Sequence, residues 1–597
     1  MKHILWTFFI LSCSSIEKKT TDPVITEELN EVERKDQSSK VTSKLKKYPF
    51  IEKAKDYGLD NIKAYNFNVV DFNGDGYSDL MIIPSFFSAP EFYQFEPQSK
   101  KFVKIGNLID QPDRISFALF SDLNQDGILD MVTGVLNQDS ELSKKSVKIY
   151  NGYKNEKGLR FSLKQDLNLT SPVSTIGLID INLDGYLDLF IGNWLNSYKQ
   201  TKLPVHDLLY IYDQIEKKYT NHSSLLTGET KQNLDKTMFT YATPTYASQI
   251  CDIDRNGYPD ILTTSTNRFH NKLWMNRFKF REKERYFEDI AVESGVASDP
   301  DGLIHERGGG RTFSAACADY NQDLIMDIFL GELTHNYDDE SVDKSSLLTG
   351  RTFKYPPRFF RTEYFLDSFD PDWHQADRRA IWVDLNNDGL LDLIVDNSGY
   401  PPYSKLIVFT QEEDHSFVNV SQAYGVDLVN PVATVIIDIN QDGKMDILTA
   451  QSEIRDAKLK NRIYLYENKI ENTNSSIRFY LMGESSNLKG LNGSISLTVV
   501  KNKNQLSQRI QQVVYSYGAL PAQNEEGILF GIKNGETPLK VTVTWPFSST
   551  ESGVKSSMEV SYKLKDLPKG EKKFILCESG KILTYSSQFD RENCRLK

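Results

Sequence analysis

One nine-residue pattern limits what this chain can fold into: Asp-x-Asn/Asp-x-Asp/Asn-Gly-x-x-Asp, written seven times. It reads DFNGDGYSD from Asp71, DLNQDGILD from Asp122, DINLDGYLD from Asp180 and DIDRNGYPD from Asp252. It returns as DYNQDLIMD from Asp319, DLNNDGLLD from Asp384 and DINQDGKMD from Asp438. Repetition at this period implies a fold assembled from equivalent units. Each copy lies between apolar runs, such as FALFS before Asp122 with MVTGV after Asp130, or TVII before Asp438 with ILTA after Asp446. A strand, a tight turn and a second strand make a hairpin.

The spacing also carries chemistry. Positions 1, 3, 5 and 9 each carry a side-chain oxygen donor. The sets are Asp71, Asn73, Asp75 and Asp79; Asp122, Asn124, Asp126 and Asp130; Asp180, Asn182, Asp184 and Asp188; and Asp252, Asp254, Asn256 and Asp260. The remaining sets are Asp319, Asn321, Asp323 and Asp327; Asp384, Asn386, Asp388 and Asp392; and Asp438, Asn440, Asp442 and Asp446. Hard oxygen donors at this density suit Ca²⁺, so up to seven ions are expected. Position 6 is Gly in six copies, which fits a loop that needs positive φ. An EF-hand would place Glu at position 12; here Ile82, Thr133, Ile191, Thr263, Leu330, Val395 and Thr449 stand there. Plain Asx-rich turns without metal are the alternative, but crowded carboxylates repel one another unless a cation lies among them. Leu324 replaces the glycine in the Asp319 copy, so a weakened site is expected there.

These loops resemble the FG-GAP or VCBS repeats of integrin-α-like propellers, over residues 47–470. The resemblance implies an all-β fold: a seven-bladed β-propeller with calcium-binding hairpin loops. The WD40 alternative lacks its Gly-His and Trp-Asp marks. A second spacing bears on closure. Phe50 to Gly58, Phe287 to Gly295 and Phe417 to Gly425 share one interval, and the latter two end a unit. The first therefore reads as the outer strand of the last blade, which removes an open sheet edge.

After RIYLYENKI the pattern changes. Gly490, Gly493, Tyr517-Gly518, Phe530-Gly531 and Trp545-Pro546 resemble the marks of the ASPIC/UnbV domain, which implies a small β-rich domain over residues 477–580 and a tail over 581–597. Ser494 and Ile495 depart from the usual opening. Alternation of Val541, Val543 and Trp545 independently reads as strand.

The N-terminus opens MKHILWTFFILSC, a basic residue and a short apolar run ending Ile10-Leu11-Ser12-Cys13. The run is too short to span a bilayer and reads as an export signal over residues 1–12. Its end resembles a bacterial lipobox, which implies cleavage before Cys13 and acylation of that residue. Ser14 then favours the outer membrane of the cell envelope, and polar residues 13–46 read as a tether. A formal charge of −12 argues against a nucleic-acid partner. Among the other cysteines, Cys577 and Cys594 are expected to pair in an oxidising compartment. Cys251 and Cys317 sit at different offsets from their loops, which points them to opposite strand faces, so both read as buried free thiols.

His335, Trp373 and His374 fall in a stretch, residues 331–380, that reads as a solvated insertion with incidental histidines; a metal or glycan site is the other reading. Gly308-Gly309-Gly310 lacks the Lys-Ser/Thr of a P-loop, and no GxSxG or Cys-His pairing suggests a nucleophile. No catalytic residue is expected. The function class that fits best is a calcium-binding lipoprotein that binds a protein or glycan. A polysaccharide-active enzyme on a propeller and a purely structural envelope protein are the alternatives.

Overall fold

The computed structural model describes residues 48–597 except 137–145, 197–202, 235–237, 280–283, 301–308, 339–340, 353, 365–373, 502–504, 547–557, 565–571, 586–590 and 595–597. The export signal, Cys13, the tether and Trp373 lie outside the described residues. Every Asp-rich loop joins the first two strands of a four-stranded antiparallel unit. The first strands are Asn66–Val70, Phe117–Ser121, Val173–Ile179, Thr245–Cys251, Thr312–Ala318, His374–Val383 and Pro431–Ile437. They are buried almost throughout, as expected of strands covered on both faces. The register is the same in every unit: the residue before the loop pairs with its ninth residue, as in Val70 with Asp79 and Ile437 with Asp446.

Neighbouring units pack through these strands, and Pro431–Ile437 packs against Asn66–Val70, so the series closes on itself. The apolar core is divided accordingly. One cluster joins Met81 and Phe92 of the first unit to Phe120 and Phe161 of the next. Another joins Val435 and Leu448 of the last unit to Phe67 and Leu80 of the first. No unit could bury both its faces alone, which is why repetition is needed for stability.

Closure also runs through the backbone. Phe50–Glu52 adds to the edge of Ile463–Asn468, with Phe50 opposite Asn468 and Glu52 opposite Tyr466. Phe50 is buried and its ring stacks on Tyr424 at 5.7 Å. In the internal copies the Phe-to-Gly segment likewise gives the fourth strand, Glu284–Asp289 or Phe417–Asn419, then a single helical turn ended by Gly295 or Gly425 in the left-handed region.

One expectation fails. Cys251 and Cys317 are not free thiols; they form a disulfide, with Cα atoms 6.9 Å apart. They do lie on equivalent strands at different offsets. But consecutive units stack front to back, so side chains on opposite faces of neighbouring first strands point toward each other. Both cysteines fall in one cluster with Ile328 and Leu330. The bridge ties two adjacent units across 66 residues of chain, a loop length for which such links typically contribute about 2–4 kcal/mol.

Beyond Asn468, two further four-stranded sheets face each other. One orders Ile528–Ile532, Ser475–Met482, Lys573–Cys577 and Ile582–Thr584; the other orders Leu506–Gln512, Ser494–Val500, Thr537–Trp545 and Met558–Lys563. Phe479, Leu497, Val543, Trp545 and Phe574 fill the space between, and the same cluster runs on into Leu119 and Leu189 of the second and third units. Cys577 is bonded to Cys594, with Cα atoms 5.4 Å apart. Residues 49–597 are thus one compact body.

Removing residues up to position 60 should uncover the edge of Ile463–Asn468, lower the melting temperature and promote aggregation, because an unpaired edge is a template for another chain. Removal of 14–44 alone leaves the Phe50–Glu52 pairing in place. Equal melting temperatures and equal solubility of the two shortened proteins would contradict closure by this strand.

Candidate metal centres and the interface above them

The ninth residue of each loop is the first residue of its second strand, and its two carboxylate oxygens do different work. One accepts the backbone N–H of loop position 2: Phe72 to Asp79, Leu123 to Asp130, Ile181 to Asp188, Ile253 to Asp260, Tyr320 to Asp327, Leu385 to Asp392 and Ile439 to Asp446. The other accepts an N–H from the third strand of the same unit, donated by Phe95, Gly152, Tyr212, Asn276, Gly350, Gln411 and Asn468 in turn. So each of these buried aspartates pins its loop to its sheet.

The rest of the loop is a nest of short-range bonds. Position 3 accepts the N–H of position 5, and position 5 accepts that of position 7, as Asn73, Asp75 and Tyr77 show. Position 1 accepts the N–H of position 6, for example Gly76 to Asp71 and Gly389 to Asp384. This folding needs two left-handed residues. At position 6 the six glycines have φ of 82–89°. Position 4 is left-handed as well, in Gly74, Gln125, Leu183, Arg255, Gln322, Asn387 and Gln441. The sequence gives no sign of this second requirement, because only one of those residues is glycine.

Leu324 takes φ of 68°, so the Asp319 loop keeps the common turn and bears the strain rather than opening. An L-residue there costs on the order of 1–2 kcal/mol.

The donors fit a hard cation. In the Asp252 loop, the only copy with Asp at position 3, carboxylate oxygens of Asp252, Asp254 and Asp260 lie within 4.8 Å of one another, and all three residues are buried. Oxygens about 2.3–2.6 Å from one calcium ion would be spaced in that range. In the Asp319 and Asp438 loops the Oδ1 atom of the first aspartate is buried with no hydrogen-bond partner, which leaves a lone pair that a cation would satisfy. Burial pushes Asp79, Asp130, Asp327 and Asp384 up to about 8 and Asp252 and Asp319 up to about 7 in the metal-free protein. A cation arriving there would therefore displace protons.

Adjacent loops are linked. The position-4 side chain reaches the position-6 carbonyl of the next loop: Arg255 to Leu324, Gln322 to Gly389, Asn387 to Gly443, and Gln441 of the last copy to Gly76 of the first.

The C-terminal sheets sit directly on this face. A Cβ on Gly531 would come within 1.9 Å of Asp384 Oδ2 and 2.6 Å of the Asn387 backbone, so that contact requires glycine, and Gly389, at φ of 86°, lies against the Arg509 guanidinium. Arg478 is 2% exposed, lies 3.6 Å from Asp438 Oδ2 and pairs with Glu525 at 2.7 Å. A guanidinium next to Asp438 supplies part of the positive charge that a calcium ion would bring, which sets this loop apart from the others. Below the sheets, the segment 515–525 enters the space where the first strands converge. Gln523 pairs with Asn68 and exchanges two hydrogen bonds with Phe120. Leu520 bonds to Ser174, Arg379 donates to Tyr517 O, and Glu525 bonds to Ile436. Tyr517-Gly518 and Phe530-Gly531, noted in the sequence without a chemical role, are therefore contact residues between the two parts of the chain.

The histidines of residues 331–380 are not in a solvated loop. His335 ends the strand Asp327–His335, His374 begins His374–Val383, and the two strands pair there. Burial, and next the Arg311 charge, push His335 down to about 4.

Comparison with known proteins agrees with the repeat. Residues 384–449 match the FG-GAP-like repeat family. No curated protein sequence matches the chain. Among solved structures, a protein from Lactobacillus plantarum aligns at 8% identity with a TM-score of 0.35, covering 62% of this chain and 84% of the other. The V. cholerae biofilm matrix protein Bap1 aligns at 9% and 0.28, covering 84% and 88%. The exotype rhamnogalacturonan lyase YesX aligns at 11% and 0.34, covering 68% and 72%. The closed series of units and the repeat match together define an all-β, propeller-like protein that carries an FG-GAP-like repeat.

Replacing Leu324 by glycine should relieve the left-handed strain and stabilise the protein by about 1 kcal/mol, raising the denaturant midpoint at constant slope. An unchanged or lowered midpoint would contradict the strained-loop account.

Proposed function

We propose that this chain is a calcium-stiffened seven-bladed β-propeller, held at a bacterial cell envelope by a lipid on Cys13, that acts as a protein- or glycan-binding module. The observation that carries this reading is the sevenfold recurrence of one loop with an oxygen donor at four fixed positions and a buried ninth-position aspartate, at one register, in units that close into a ring. The oxygen donors are those of the four motif positions, from Asp71 to Asp446. The ion's contribution is charge: it neutralises clustered carboxylates that would otherwise be held protonated or repel. The chain's own residues do the rest. The ninth-position aspartates fix the loop to the sheet, and the position-4 side chains tie each loop to the next.

The C-terminal sheets, read as an ASPIC/UnbV-like domain, act as a cap whose segment 515–525 fills the centre. That plug favours binding over catalysis, because a propeller enzyme working at the centre of this face needs open space for substrate. Exposed aromatic residues such as Tyr337, Tyr355 and Phe360 supply surface for a ligand. The acidic balance of the chain supports a partner other than nucleic acid.

Loops of this kind in exported proteins bind calcium with dissociation constants of about 0.1–1 mM, so a site near 0.1 mM gains about 1.4 kcal/mol at about 1 mM free ion. The melting temperature should therefore rise by many degrees on going from excess chelator to about 1 mM calcium, and the Asp319 loop should fill last. Identical melting temperatures in the two conditions would remove calcium from the account. A surface-protein and glycan array probed in both conditions would then identify the ligand class.

A further inference from the structure

The end of the fold away from the Asp loops holds a second constellation of metal-ligating side chains. The strand Asp327–His335 begins at the Asp319 loop and carries its histidine eight residues further on, about 26 Å away at about 3.3 Å per residue. There His335 lies directly opposite His374 of the neighbouring unit's first strand. Strand residues in such register hold their Cβ atoms about 4.5–5.5 Å apart, which lets two side chains act on one atom. The two Nδ1 atoms are 2.8 Å apart and the ring planes are nearly perpendicular, at 85°.

We propose that His335 and His374 form a two-histidine chelate for Zn²⁺ or a late first-row transition metal of similar ligand preference. Imidazole nitrogens suit these ions and not calcium. Bonds of about 2.0–2.1 Å subtending about 90–109° place two nitrogens about 2.9–3.3 Å apart, so the observed pair must open by only a few tenths of an ångström. In the metal-free pair one Nδ1–H donates to the other Nδ1. On binding, that ring moves its proton to Nε2, both Nδ1 lone pairs face the ion, and no net charge leaves the protein.

The surroundings hold both rings. Tyr400 packs against His335 at 5.2 Å and His374 at 4.7 Å, and Tyr337 stacks on His335 at 4.8 Å. Tyr337 is 58% exposed, which gives an ion a route in from solvent. Asp338 accepts the backbone N–H of His335 and pairs with Arg311, so a carboxylate fixed next to His335 offsets that guanidinium; a second, Arg455, lies over the Tyr400 ring at 3.9 Å. The chelate lies a strand's length from the Asp loops and is independent of calcium binding there.

The test is zinc titration by calorimetry of the full chain in about 1 mM calcium, with Cys13→Ser throughout so that the one cysteine outside the two disulfides cannot bind zinc. The natural pair should show one site that weakens at least tenfold in His335→Asn or His374→Asn and is absent in the double variant. His415→Asn, a histidine elsewhere, should leave it unchanged. Zinc should also raise the melting temperature of the unsubstituted pair, a reading that does not depend on how the variants fold. Equal zinc binding by the double variant, or no zinc effect on the natural pair in either measurement, would overturn the site.

Discussion

A carboxylate at the first position of each second strand binds a loop, a hairpin and a third strand into one object. Asp79 holds Phe72 and Phe95, Asp188 holds Ile181 and Tyr212, and Asp446 holds Ile439 and Asn468. Hydrogen bonds to a charged acceptor contribute about 1.5–3 kcal/mol each, and loss of the acceptor leaves buried donors unsatisfied. The same aspartates are buried, and burial raises them well out of the ordinary carboxylate range, as at Asp260 and Asp392. The fold thus depends on groups that are costly to ionise where they stand, and the cation proposed for each loop would resolve that conflict.

The loops also depend on one another. Gln441 of the last copy bonds to Gly76 of the first, and Gln322 and Asn387 make the same reach to the copies after them. Leu183 and Gly74 stand at that position in two other loops and offer no donor of this kind. Over this face lie the C-terminal sheets, with Gly531 against Asp384 and Arg478 against Asp438. A cation in the loops would therefore bear on the contact that seats the plug, because loop, carbonyl link and cap are neighbours.

Much of the framework was legible. The motif's period, its flanking apolar runs and the Phe-to-Gly interval were enough to locate the Asp-loop turns and to place Phe50 in the last unit, although the strand His374–Val383 begins inside the stretch read as an insertion. The glycine at position 6 was legible because a missing Cβ leaves a mark in the sequence. Position 4 was not, because Arg255, Gln322 and Gln441 take the same backbone region while their side chains bond to the next loop, and composition does not mark that. The Cys251–Cys317 bridge is not legible from alternation within one sheet, because the geometry that makes it is the stacking of two. The histidine pair, the Arg478 contact and the central plug join residues far apart in the chain, and no local pattern announces such contacts. His335 and His374 lay in a stretch with no fixed ligand spacing, and only the strand register brings them face to face.

The most direct test of calcium in the Asp loops is anomalous diffraction from crystals of the full chain grown with calcium, collected at a wavelength where calcium scatters anomalously. Peaks should appear inside the loops, each about 2.3–2.6 Å from its carboxylate oxygens. The strongest should fall among Asp252, Asp254 and Asp260, and the weakest in the strained Asp319 loop. Ordered loops that keep the hydrogen bonds described above and carry no anomalous peak would show that the aspartates act as backbone clamps alone, and the calcium account would be wrong.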